Sequence, residues 1–273
     1  MLFAKADSLA QAGNFMGSRV EYERIAYLSD DLKTRQKAIF EKALIFKQRG
    51  SYGKAANTIE RINIRDTEDP LFAEKAYQLA FCQYMAGNYQ EAIGTIELYT
   101  SMLPDNIQTK QKLFKLQVFS HNHLFQFKEA RAILEELKNY PNANFPYSRI
   151  ESLYNEVPNY INPEKAKYLS ILPGLGQAYA GKIFEGSINF MLNASALGFG
   201  VWQVYSGYYF TSYVVGVTLL QKFHSGGQHR AQILAKQKNR KNALKFNVKV
   251  VKQLNPETGA GYEAGPSHPA ETK

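Results

Sequence analysis

The stretch AFCQYMAGNYQEAIGTI, Ala80 to Ile96, sets a small residue, a Gly-Asn-aromatic triplet, a second small residue and a large apolar one at fixed offsets. Its triplet, Gly87-Asn88-Tyr89, has counterparts at Gly13-Asn14-Phe15 and Gly50-Ser51-Tyr52, spaced 37 residues apart. A fourth, Phe125-Gln126-Phe127, follows 38 residues after the third with its glycine replaced. Seven positions before each glycine stands an alanine: Ala6, Ala43 and Ala80. Five positions after stands Ser18, Ala55, Ala92 or Ala130, and nine after stands Tyr22, Ile59, Ile96 or Leu134. A period of this size is the mark of stacked supersecondary units. Two helices joined by a glycine turn satisfy it, with small residues where helix backbones approach and large ones filling the groove beside them. Pro104 ends the third unit.

These positions resemble the tetratricopeptide repeat family in degenerate form, with about four units over residues 1–140. The resemblance implies an all-α solenoid of helical hairpins whose concave face, lined by the first helix of each unit, holds a protein partner. On that face Lys42, Lys47, Gln83 and Lys115 are the candidate contacts. The family unit is 34 residues, so the connecting turns here are expected to be longer.

The chain has 273 residues, of which 45% are hydrophobic, enough for a substantial core. Its net charge of +9 is unevenly placed. Residues 1–167 carry 22 basic and 20 acidic side chains, whereas residues 168–273 carry 11 and 4. The single cysteine, Cys82, rules out an intrachain disulfide. The opening MLFAKADSLAQ interrupts any apolar run with Lys5 and Asp7, unlike a secretory signal.

Residues 141–167 read as an ordered connector. Prolines at 141, 146, 158 and 163 break the helical period, and a short helix is expected around Ser148–Asn155. Residues 168–223 follow as a glycine-rich turn and an apolar segment. From Gly186 to Gln221 there is no charge, a length that suits two short membrane spans and a tight turn. Ser206-Gly207 is the turn, among Trp202, Tyr205, Tyr208 and Tyr209, the residue types that gather at headgroup level. The pairs Ala194/Gly198, Ala196/Gly200 and Ser212/Gly216 have the spacing that lets membrane helices pack closely. A buried hairpin of a soluble protein is the competing reading, supported by Asn189 and Asn193 one turn apart.

The turn itself, LPGLGQAYAGK from Leu172 to Lys182, is not a nucleotide loop. A dinucleotide fingerprint would need glycine where Tyr179 stands, and Lys182 is not followed by Ser or Thr. Pro173, Gly174, Gly176, Gln177, Tyr179 and Gly181 instead resemble the Pro-Gly-x-Gly-Gln-x-Tyr-x-Gly motif of a bacterial membrane family. That resemblance implies a two-transmembrane-helix domain attached to tetratricopeptide repeats, with the motif as a re-entrant or interfacial turn.

Between Lys222 and Lys252 stand nine Lys or Arg and no acid. An amphipathic helix over 224–254, from about Gln228, would set Arg230, Lys236, Arg240 and Lys241 around an apolar edge at Ile233 and Leu234 and lie on anionic lipid. No nucleic-acid motif or aromatic platform accompanies these charges, which reads against that partner. Residues 255–273 read as a disordered tail.

No catalytic or metal constellation is legible, and no cofactor is expected. His121 and His123, two apart, diverge by about 200° on a helix. Cys82 sits in a repeat helix without a partner nearby in sequence. The expected protein is therefore a non-enzymatic, membrane-anchored interaction scaffold of a bacterial envelope, in an assembly or transport complex. A soluble adaptor and a lipid-handling accessory protein are the alternatives. The basic flanks and the uncharged turn place the repeats in the cytoplasm, or in the periplasm if a leader has been removed.

Overall fold

The computed structural model describes residues 3–104, 108–138, 140 and 146–254, and these contain helices and no strand. Two compact units divide it, the first formed by 1–157 with 244–273 and the second by 158–243. The tail 255–273 lies outside the described residues.

In the first unit eight helices follow one another as pairs: α1 (Ala4–Gln11) with α2 (Phe15–Leu28), α3 (Leu32–Gln48) with α4 (Tyr52–Glu60), α5 (Pro70–Ala86) with α6 (Tyr89–Met102), and α7 (Gln108–His123) with α8 (Phe127–Lys138). Each packs on the next, and α5 also touches α3 and α7. Local chemistry sets the starts. The Asn14 side chain accepts from Gly17 N, Asp31 accepts from the amides of Lys33 and Thr34, and Asp69 accepts from Leu71 N ahead of Pro70 in the first turn. Gly13, Gly50 and Gly87 end the first helices in the left-handed conformation. The fourth turn keeps it too: Phe125 has φ +60°, the one positive value at a described non-glycine residue. The register thus extends to the unit that lost its glycine.

The expected longer connection appears at 61–69, whereas the link 29–31 is short and the equal spacing from Gly13 to Gly50 is made up within α2 and α3. Ala6, Ser18, Ala43, Ala55, Ala80, Ala92 and Ala130 are fully buried, and Tyr22, Ile59, Ile96 and Leu134 are buried beside them. The connector holds α9 (Tyr147–Leu153), near the expected helix, with Ile150 and Tyr154 in the core. It also holds α10 (Pro163–Leu169), where Pro163 opens a helix in its first turn behind the Asn162 cap instead of only breaking the helical period. The unit boundary falls inside the connector, at 157/158, and not at its ends.

In the second unit α10 leads to α11 (Leu175–Tyr179) and α12 (Ile183–Tyr205). After Ser206-Gly207 the chain returns through α13 (Tyr209–Thr211) and a π-helical stretch (Ser212–Val217), both packed on α12, into α14 (Thr218–Leu254). Helix α14 begins at Thr218 and runs through Gly226-Gly227, ahead of the expected start of the basic helix near Gln228. A Cβ at Gly227 would stand 2.5 Å from the Asn189 side chain, so glycine here serves close approach, at the helical cost that absence of Cβ entails. Residues 244–254 belong to the first unit, where Phe246 packs on Phe127 and Tyr154. Asn247 accepts from Asn122 Nδ2 at 2.8 Å and donates to Phe119 O at 3.1 Å, and Tyr154 OH donates to Asn122 Oδ1. Buried carboxamides partnered on both sides fix this register.

Candidate functional site

Two surfaces carry the chemistry, one in each unit. In the first unit the candidate contacts separate. Lys42 turns back to Glu23 on α2 (2.7 Å), and Gln83 is buried, donating to Glu60 and accepting from Thr95. Lys47 stays on the row of first helices, donating to Gln78 Oε1 at 2.7 Å with its Nζ 4.6 Å from the Phe81 ring centre. On α7 Lys112 lies 5.8 Å from the Tyr77 ring centre, and Lys115, a turn further, is half-buried. Desolvation holds the Lys115 ammonium below its ordinary pKa. Cys82 is fully buried, and the loss of solvent pushes its thiol up to about 12, against nucleophilic use.

In the second unit the Pro173–Gly181 motif is a packing knot. Gly174 has φ +93°, and a Cβ there would lie 2.4 Å from Gly186 O; a Cβ on Gly186 would lie 2.5 Å from Gly174 O. Gly176 faces Ser170 Oγ and Ala166 O so closely that a Cβ would stand 1.9 and 2.1 Å from them. Gln177, buried, donates to Gly227 O at 3.0 Å, and its Oε1 has no protein partner. Tyr179 OH accepts from Asn162 N at 3.3 Å, with Lys165 Nζ 5.6 Å from its ring centre. Gly181, φ +80°, lies under Lys238 Nζ. Pro173, half-exposed, precedes the knot. The motif thus joins α10, α11, α12 and α14. Asn239, which carries no sequence signal of its own, fastens the same knot by bonding both the amide (2.9 Å) and the carbonyl (2.7 Å) of Ile161.

Beyond the knot, α12 and its return helix meet at small residues. A Cβ on Gly216 would stand 3.0 Å from Gly200 Cα, Ser212 Oγ donates to Gly200 O at 2.8 Å, and Ala196 is buried. Ala194 and Gly198, expected in the same role, are exposed and away from the contact. A groove of about 210 Å³, lined by Leu197, Val201, Val204, Val217 and Leu220, runs beside the seam. Asn193 is buried and donates to Asn189 O at 2.8 Å, and Asn189 donates to Phe223 O at 3.4 Å. Large apolar side chains point the other way: Phe184, Phe190, Met191, Trp202, Phe210 and Tyr213 are each more than half exposed. No helix of the described residues is long and apolar enough to cross a membrane.

The basic stretch departs from expectation. Leu234, Ala231 and Ala235 are buried with Ala166 and Ala180, so the protein itself covers the apolar edge meant for lipid. Arg230 pairs with Glu185 at 3.0 Å, Lys236 and Lys241 are exposed, and Arg240 is half-buried. Among the described residues no group of three His, Cys, Asp or Glu could hold a metal. Comparison with protein-family models, with curated proteins and with solved structures returns no match.

Proposed function

We propose that this chain is a membrane-anchored interaction scaffold: a tetratricopeptide-like solenoid that binds a protein, attached to a bacterial membrane by the apolar hairpin of α12 and its return. One observation carries the reading, an apolar surface exposed along the whole hairpin, from Ile183 to Val217. Contiguous exposed patches of this kind mark interaction with membrane or protein. At about 1.5 Å per residue α12 is roughly 34 Å long, close to the ~30 Å of a hydrocarbon core. Asn189 and Asn193 lower its mean hydropathy; Asn189 donates across to Phe223 O of the paired helix, and Asn193, buried, donates to Asn189 O within α12. Two helices entering together would bring both Nδ2 groups in already bonded. With the apolar edge at Leu234 covered, the exposed Lys236 and Lys241 would act on anionic headgroups by charge alone. The role is binding rather than catalysis, in an assembly or transport complex of the envelope. Lys165, Lys167, Lys182 and Lys222 flank the hairpin and its tip is uncharged, which favours a cytoplasmic solenoid.

A soluble adaptor whose hairpin is covered by a protein is the second reading, favoured by the absence of any described helix apolar enough to cross alone. Alkaline carbonate separates the two. The proposal expects the chain to stay in the membrane pellet and to leave it only with detergent. Extraction by carbonate alone would establish the adaptor. For sidedness, Ser267→Cys in a Cys82→Ala background should resist an impermeant thiol reagent in cells with a permeabilised outer membrane. Labelling there would move the solenoid to the periplasm.

A further inference from the structure

The two helices of each pair in the first unit differ in charge. The first helices, α1, α3, α5 and α7, carry ten Lys or Arg against Asp7, Glu41 and Glu74. The second helices, α2, α4, α6 and α8, carry six against eight acids. Lys5 and Lys42 pair with Glu21 and Glu23 of α2, and the excess of positive charge that remains lies on the first helices, of which α3, α5 and α7 are in contact through α5. At the C-terminal part of the row the charges stand beside aromatic faces. Lys47 reaches across to Gln78 and Phe81, and Lys112 reaches back to Tyr77 from the other side. Lys47, Tyr77, Phe81 and Lys112 are each half-buried. Helices α5 and α7 contain a single acid between them, Glu74, and it already accepts from Gln78 Nε2.

We infer that the Lys47–Phe81–Tyr77–Lys112–Lys115 row receives an acidic, extended segment of a partner protein. Three helices at interaxial distances of about 8–10 Å span roughly 16–20 Å. An extended chain covers that in about five or six residues. Carboxylates of such a segment meet the ammonium groups, and its aliphatic stems lie on the two rings. The inference rests on the solenoid being a binding surface and names the partner's chemistry; it is independent of membrane anchoring.

The test is fluorescence anisotropy of detergent-purified full-length protein with a fluorescein-labelled hepta-glutamate peptide, against hepta-glutamine and a twelve-residue oligothymidylate. Hepta-glutamate should bind, weakening as salt rises, and hepta-glutamine should not. Lys47→Gln/Lys112→Gln/Lys115→Gln should raise Kd tenfold or more. Lys54→Gln/Lys128→Gln/Lys138→Gln, the same charge removed from second helices, should change it less than twofold. Circular dichroism verifies folding; if the row variant loses helix, Lys112→Gln alone should still raise Kd about threefold. Equal losses in row and control variants would overturn the inference, as would a row variant that weakens oligothymidylate more than peptide. A chain that stays in the carbonate pellet but shows no row-dependent peptide binding loses this inference alone.

Discussion

The first unit and the helix pair of the second obey one packing rule and end with opposite surfaces. In both, small residues occupy the contacts between helices: the buried Ala43, Ala55, Ala80 and Ala92 in one, and Ala196 with the closely approaching Gly200 and Gly216 in the other. In the first unit the contact leaves room alongside for Tyr22, Ile59, Ile96 and Leu134, all buried, and the hydrophobic effect holds the pairs together in water. Between α12 and its return the seam is glycine against glycine, with carboxamides at its base, so large apolar side chains have no interior to enter. They are left outside. Burial from water cannot be what holds such a pair, and surroundings as apolar as its own surface, lipid or a partner, are what our proposal supplies.

The sharpest way to break this comparison is at the glycine knot. Gly186→Val would drive a side chain against the Gly174 carbonyl, backbone that cannot rotate away, and we expect a loss of about 3 kcal/mol or more in the second unit. Limited trypsin digestion should then cut at Lys182 while the thermal transition of the first unit is retained; unchanged protection at Lys182 would remove the backbone contact from the argument. A middle-sized effect sharpens the contrast between buried and exposed alanines. Ala92→Leu overpacks a fully buried site and should cost about 1–3 kcal/mol, whereas Ala194→Leu, on the exposed face of α12, should shift stability by less than about 0.5 kcal/mol. Equal effects in thermal melts would dissolve the distinction.

The smallest effect is electrostatic and confined to the first unit. Hydrogen bonds from Arg61, and then Lys42, hold the Glu23 carboxyl down at about 2. A depressed carboxyl stabilises the fold fully above its unfolded pKa, near 4.5, and loses that contribution as pH falls through about 2. Glu23 is 41% exposed, so solvent screening keeps the contribution below about 1 kcal/mol. In urea titrations the advantage over Glu23→Gln should be present at pH 7 and shrink as pH approaches 2. A difference that stays constant over that range would mean that Glu23 acts by packing.

Legibility in the sequence followed locality. The repeat register is a short-range code of turn and packing residues, and it reached even Phe125, whose left-handed backbone keeps the place of the missing glycine. The glycine motif is visible as a motif, but its contacts with Ser170 and Gly227 are not, because those residues arrive from α10 and α14. Asn122 and Asn247 stand 125 positions apart, and nothing local to either points to the other. The amphipathic pattern around Ile233 and Leu234 offers a face to lipid, and in the fold Leu234 of that face is buried with Ala166 and Ala180. A helical period states that a face is buried and leaves open by what.

The return of residues 244–254 to the first unit also sets an order of events in synthesis. Phe127 and Tyr154 complete their aromatic cluster only when Phe246 arrives, about 90 residues later. At about 5–20 residues per second the ribosome needs roughly 5–18 s to deliver it. Throughout that interval the nascent chain shows an unfinished edge at its fourth helix pair, and the apolar segment 183–217 leaves the ribosome before the edge can close.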